Sequence, residues 1–166
     1  MRNSTIIARA AIFASVAVVL GFIESLIPAP TGIYGIKLGL SNIVVLAALY
    51  LLNERNALWA AIIKTVISAL LYGGLSGFLY SVSGAFLSLS AQILCKKTRA
   101  FSVIGVSCMG GIFHNIGQFI CASLIIGKSV IYYFPVLLVS GAATGIVTGA
   151  GAALLIKRGR DIFGSE

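Results

Sequence analysis

The sequence predicts an all-α membrane protein of six transmembrane helices with both termini in the cytoplasm, and three observations carry that prediction. The 166-residue chain is 59% hydrophobic and only 10% charged. Soluble domains carry about 25% charged residues, so this chain lacks the polar groups to cover a water-facing surface, and its mean hydropathy is +1.07. Its apolar residues fall in runs near the ~20 that cross a bilayer core as a helix. Its basic residues sit in the gaps between those runs, mostly on one side, as membrane proteins place them.

The first span covers residues 6–27 and stops at PAPTG, a loop by its proline and glycine content. It is long enough to cross, and no small-residue cleavage site precedes Pro28, which argues against a signal peptide. The second span covers residues 36–52 and ends in the polar turn NERN. The third covers residues 57–72, where GGLSG weakens helical continuity. The fourth covers residues 78–94 and is closed by CKKTRA. The fifth covers residues 101–126, followed by GKS. The sixth covers residues 130–156 and runs into the basic tail KRGRD. Pro135 falls in its first turn or delays its start.

Charge settles the break at Gly73–Gly77. With six spans, Arg2, Arg9, Arg55, Lys96, Lys97, Arg99, Lys157, Arg158 and Arg160 share one side, and Lys37 and Lys128 the other. Fusing the third and fourth spans would move CKKTR across and spoil this positive-inside bias. The chain therefore reads as a single integral membrane domain over residues 1–166, with both termini in the cytoplasm.

Several function classes drop out. The formal net charge is +8, yet the basic residues form no single stripe for nucleic acid. Cys95, Cys108 and Cys121 are odd in number and lack metal-ligand spacing, so they read as small buried thiols. Ala122 to Ser129 fits a loose Walker A pattern, but its middle is apolar and ends a membrane span rather than forming a glycine-rich loop. The four acids, Glu24, Glu54, Asp161 and Glu166, include no pair to hold Mg²⁺ on a diphosphate. No enzyme, cofactor or metal site is expected.

The informative residues are polar and lie inside the spans. Lys64 sits at mid-depth of the third span, where a lysine costs at least about 2.5 kcal/mol. Either it snorkels or it faces a polar cavity; Ser68 and Tyr72 continue its face. His114 and Gln118 are four apart in the fifth span and share a face, with Asn115 about 100° round. Their alternatives are hydrogen-bonding glue between helices and the wall of a binding cavity. Ser81, Gly84, Ser88 and Gln92 add a weaker polar side to the fourth span. Glu24, Lys37 and Asn42 lie toward the same outer half. Glu24, Lys37, Asn42, Lys64, His114, Asn115 and Gln118 are thus the candidate lining of an outward-facing cavity for a small polar or partly anionic molecule. Ala10-x-x-x-Ala14 and the Gly141, Gly145, Gly149 stripe permit close helix approach, within the chain or with a partner.

The segments GIYGIKLGLSNIVVLAALYLL, LYSVSGAFLSL, FSVIGVSCMGGIFHNIGQ and YYFPVLLVSGAATGIVTG resemble the bacterial Gx transporter family, also labelled heptaprenyl diphosphate synthase component I. The resemblance spans nearly the whole chain, and KLGLxN and HNIGQ are its most specific parts. That family is similar to the substrate-binding S components of energy-coupling factor (ECF) vitamin importers. The resemblance implies a six-helix subunit that captures a small vitamin- or cofactor-precursor-like molecule from outside. It also implies partners: a membrane coupling subunit, contacted through Ala10 and Ala14, and cytoplasmic ATPases. The older label implies instead a non-catalytic membrane subunit associated with a prenyl diphosphate synthase.

Overall fold

The computed structural model describes residues 3–27 and 38–163. Lys37, one of the expected cavity residues, lies outside them. Among the described residues six α-helices follow one another: α1 Asn3–Leu26, α2 Leu40–Leu51, α3 Glu54–Ser68, α4 Gly74–Thr98, α5 Val103–Ile126 and α6 Phe134–Phe163. No strand occurs among the described residues.

Local chemistry sets the boundaries. The Asn53 side chain accepts the Asn56 N–H at 2.9 Å and opens α3, and Ser102 Oγ accepts the Gly105 N–H at 3.2 Å and opens α5. Both satisfy donors that the first helical turn leaves without a partner. The expected break after the third span is a π turn, Ala69–Gly73, followed by Gly74 at φ +61°. That left-handed conformation suits glycine. Helix α5 is continuous to Ile126, so the Walker-like stretch is mostly helix and forms no phosphate-cradling loop. A 3-10 turn, Lys128–Tyr133, leads into α6 and puts Pro135 in its first turn.

Among the described residues four helical segments are long and apolar enough to cross a membrane: Ile7–Leu26, Gly74–Thr98, Val103–Ile126 and Ser129–Asp161. The other two fall short of the expected spans. Helix α2 begins only at Leu40 and has 12 residues, about 18 Å against a hydrocarbon core of about 30 Å. Helix α3 has 15 residues before the π turn.

The bundle is apolar on its outside. Ile12, Val19, Phe86, Leu94, Leu124 and Leu154 are all exposed, a distribution that suits lipid rather than water. Its interior has two parts. Val44 to Leu49 of α2 are buried without interruption and join Phe13, Ala57, Val106, Ala152 and Ile156 in a dry core. A helix apolar on every side belongs in the middle of a fold, and α2 packs on α1, α3 and α6.

Long-range contacts orient the helices. Glu24 near the end of α1 accepts a hydrogen bond from the Gly39 N–H at the start of α2, so these two helices run antiparallel. Lys97 near the end of α4 pairs with Glu54 at the start of α3 at 3.2 Å. Lys96 Nζ donates to the Leu49 carbonyl near the end of α2 at 2.6 Å. Gly159 of α6 lies against Leu51. Arg55, Lys96, Lys97, Lys157, Arg158 and Arg160 therefore gather at one end, together with the start of α1 and the end of α6.

The small-residue stripes are used inside the chain. A Cβ on Gly141 would lie 2.6 Å from the Gly111 carbonyl oxygen, and one on Gly145 would lie 2.7 Å from the Cys108 Cα. One on Gly149 would lie 2.8 Å from the Ile104 Cα. These glycines seat α6 directly on the α5 backbone, so this face of α6 is not open to a partner. Ala14 is 3% exposed and sits on the inward side of α1 with Phe13 and Ala17; Ala10 is half-buried on the same side. Ala14 is thus covered within the chain, whereas Ala10 keeps part of its surface exposed. Alanine and glycine lines permit close approach, and here the approaching helices belong to the same chain.

Candidate ligand-binding site

Away from the basic end, the bundle encloses a cavity of about 90 Å³. Helices α1 and α3 to α6 reach it with residues three or four apart, the spacing that aligns side chains along one helix face, and α2 reaches it with two adjacent residues of its first turn. Helix α1 supplies Gly21 and Glu24, and α3 supplies Lys64 and Ser68. Helix α4 supplies Ser81, Ala85, Ser88 and Gln92, and α5 supplies Ser107, Gly111, His114 and Gln118. Ser41 and Asn42 come from the first turn of α2, and Thr144 and Thr148 from α6. Six of the seven residues expected from sequence, all but Lys37, line this one space.

Their roles differ. Lys64 Nζ donates to Asn42 Oδ1 at 2.7 Å, across from α3 to α2. The ammonium is held against the first turn of α2 at the cavity wall. Glu24 accepts from the Gly39 N–H, where φ is +80°, so its carboxylate also pins the entry to α2. The His114 ring lies over Gly84, where a Cβ would sit 2.9 Å from its Cε1. Glycine at that position makes room for the imidazole. A smaller pouch of about 10 Å³ opens beside Lys64 and His114, enough for about one water.

Asn115 takes the other reading. Its Nδ2 donates to the Leu137 carbonyl at 2.6 Å and to Ser140 Oγ at 3.2 Å. It touches the cavity, but its amide joins α5 to α6 as interhelical glue. One step of about 100° round the helix separates it from His114.

Sequence reading missed the α6 wall and the α5 hydroxyl facing it. Ser107 Oγ and Thr148 Oγ1 are 3.0 Å apart and share a hydrogen bond. Thr144 donates to the Ser140 carbonyl at 2.8 Å, one turn back. The signal was present as Ser140, Thr144 and Thr148 at intervals of four beside the glycine stripe. Hydroxyls that can bond back to their own helix are hard to assign to a cavity before the neighbouring helix is placed. Ser41 and Thr65, both buried, line the cavity beside Asn42 and Lys64, the more conspicuous polar residue of each pair.

Among the described residues, the cavity wall consists of hydroxyls, amides, an imidazole, one ammonium and one carboxylate, set among glycines and a single alanine. Such groups can orient a polar guest by hydrogen bonds and balance charge on it. Among the described residues no group of three His, Cys, Asp or Glu comes together to hold a metal ion. Cys95, Cys108 and Cys121 are free thiols.

No curated protein and no solved structure matches the chain. A family model described as heptaprenyl diphosphate synthase component I matches residues 13–155, most of the 166 residues. The chain, an all-helical protein with four segments fit to cross a membrane, belongs to that family.

Proposed function

We propose that the chain is the substrate-binding membrane subunit of an ECF-type importer. It would capture a small molecule from outside and pass it on with a coupling subunit and cytoplasmic ATPases supplied by other chains. The observation that carries this reading is the polar cavity, about 90 Å³, enclosed by an otherwise apolar bundle. Intramembrane ionisable groups are expensive and mark ligand or ion paths, and here an inward-held lysine and a histidine line the same space.

In this reading all six helices contribute to one bundle across the bacterial cytoplasmic membrane. The end rich in lysine and arginine faces the cytoplasm, which puts both chain termini there. The cavity then lies toward the outer half, where Glu24, Asn42, Lys64, His114 and Gln118 receive the ligand. The chain binds rather than catalyses, since the cavity's single carboxylate offers no pair for metal-assisted chemistry on a diphosphate.

The family description favours a second reading, a membrane subunit that assists a prenyl diphosphate synthase. Native mass spectrometry of the gently purified protein separates the two. The importer reading expects a retained small molecule and copurifying ATPases. Copurification with a soluble, aspartate-rich synthase and no retained small molecule would overturn it.

A further inference from the structure

We infer that the cavity selects a compact, hydroxylated oxyanion, a short carboxylate or phosphate ester, and rejects both flat aromatic rings and prenyl chains. This rests on the reading of the cavity as a ligand site and names the class of ligand. The observation behind it is the composition of the wall. Among the described residues that line the cavity there is no Val, Leu, Ile, Met, Phe, Tyr or Trp. Sites for drug-sized ligands are mostly apolar, with aromatic side chains and volumes of roughly 300–1,000 Å³. In a space of about 90 Å³, the described wall of hydroxyls, amides and small residues offers a fused ring system no stacking surface and a prenyl chain no apolar channel.

Charge supplies the other half of the inference. Lys64 is half-buried, and its Nζ is fixed on Asn42 Oδ1 at 2.7 Å. A positive charge held in a low-dielectric wall attracts an anionic group far more strongly than it would in water. Among the described lining residues the other charged group is Glu24, which accepts a hydrogen bond from the Gly39 N–H. Ser81 and Ser88 on α4, with Gln118 on α5, line the same cavity. Their groups can both donate and accept, which suits a hydroxylated frame. The anionic group can belong to a free solute or to a lipid head group, since both present the same oxygens.

Thermal unfolding of the protein in phosphatidylcholine nanodiscs tests the inference with four probes: glycerol 3-phosphate, glycerate, riboflavin and farnesyl diphosphate. A saturating oxyanion probe is expected to raise Tm by about 3 °C or more. The Lys64→Gln variant should lose that response, and Lys64→Arg should keep it. Nanodiscs containing phosphatidylglycerol distinguish the source: a shift there without any response to free glycerol 3-phosphate assigns the same chemistry to a head group. A response to riboflavin or farnesyl diphosphate alone overturns the ligand class while leaving the cavity a binding site. Silence from all four probes in both lipid mixtures overturns the class as well. A retained small molecule in native mass spectrometry would then still uphold the importer reading, and its absence would remove both.

Discussion

The two ends of the bundle interior are built on opposite principles. Toward the basic end, Leu46, Leu49, Ala57, Val106, Ala152 and Ile156 fill the space with buried apolar atoms. Toward the other end, Glu24, Asn42, Lys64 and His114 line a polar cavity. Helix α2 belongs to both: Ser41 and Asn42 open into the cavity, and Val44 to Leu49 are sealed in the core. In lipid, transfer out of water does not drive helices together, so packing and hydrogen bonds must hold the bundle. The dry end and the glycine contact between α5 and α6 supply that packing. The cavity end is then free to keep groups whose burial carries a cost. The difference teaches that stability and recognition are separated along the bundle axis rather than mixed at each residue.

The sharpest way to break this division is Leu49→Ala, which empties the best-buried part of the dry end. Large-to-small core changes cost about 2–5 kcal/mol, and Tm in nanodiscs should fall accordingly. A Tm close to that of the parent protein would mean that the dry core does not hold the bundle. The cavity end should answer in the reverse way. Lys64→Gln removes a charge-assisted hydrogen bond to Asn42 and the charge offered to a ligand. Ligand affinity should fall about 10- to 100-fold, in line with the ~1.5–3 kcal/mol of bonds to charged groups, while Tm of the empty protein holds or rises. A large loss of Tm with affinity intact would place Lys64 on the structural side of the comparison.

Smaller effects refine the boundary. Asn115→Leu removes the amide that spans α5 and α6. Intramembrane hydrogen bonds are worth about 0.6 kcal/mol on average, up to about 1.7, so a modest fall in Tm of the empty protein is expected. No fall would return Asn115 to the recognition side, with His114. The Lys97–Glu54 pair is largely exposed, and exposed pairs contribute about 0–1 kcal/mol. Lys97→Gln should therefore lower Tm less than Leu49→Ala or Asn115→Leu, and a change exceeding that of Asn115→Leu would show that the basic end is held by charge as well as packing.

Much of this was legible in the sequence. Composition and apolar run length pointed to membrane helices, because a chain with so few charges has no other way to meet its surroundings. The breaks at Asn53, Gly74 and Gly127 followed from capping and glycine chemistry, which act within a few residues. Helical periodicity placed His114 and Gln118 on one face, and the cost of a buried lysine singled out Lys64. What the tertiary structure alone decided is which neighbour each face meets. The glycine and alanine stripes carried equal promise as inner seams or outer docking faces, and the position of α5 against Gly141, Gly145 and Gly149 made one of them a seam. Asn115 became glue because Leu137 and Ser140 stand opposite it, and Lys64 turned inward because Asn42 stands within reach. Local spacing determines which residues share a face; only the packing of separate helices determines what that face touches.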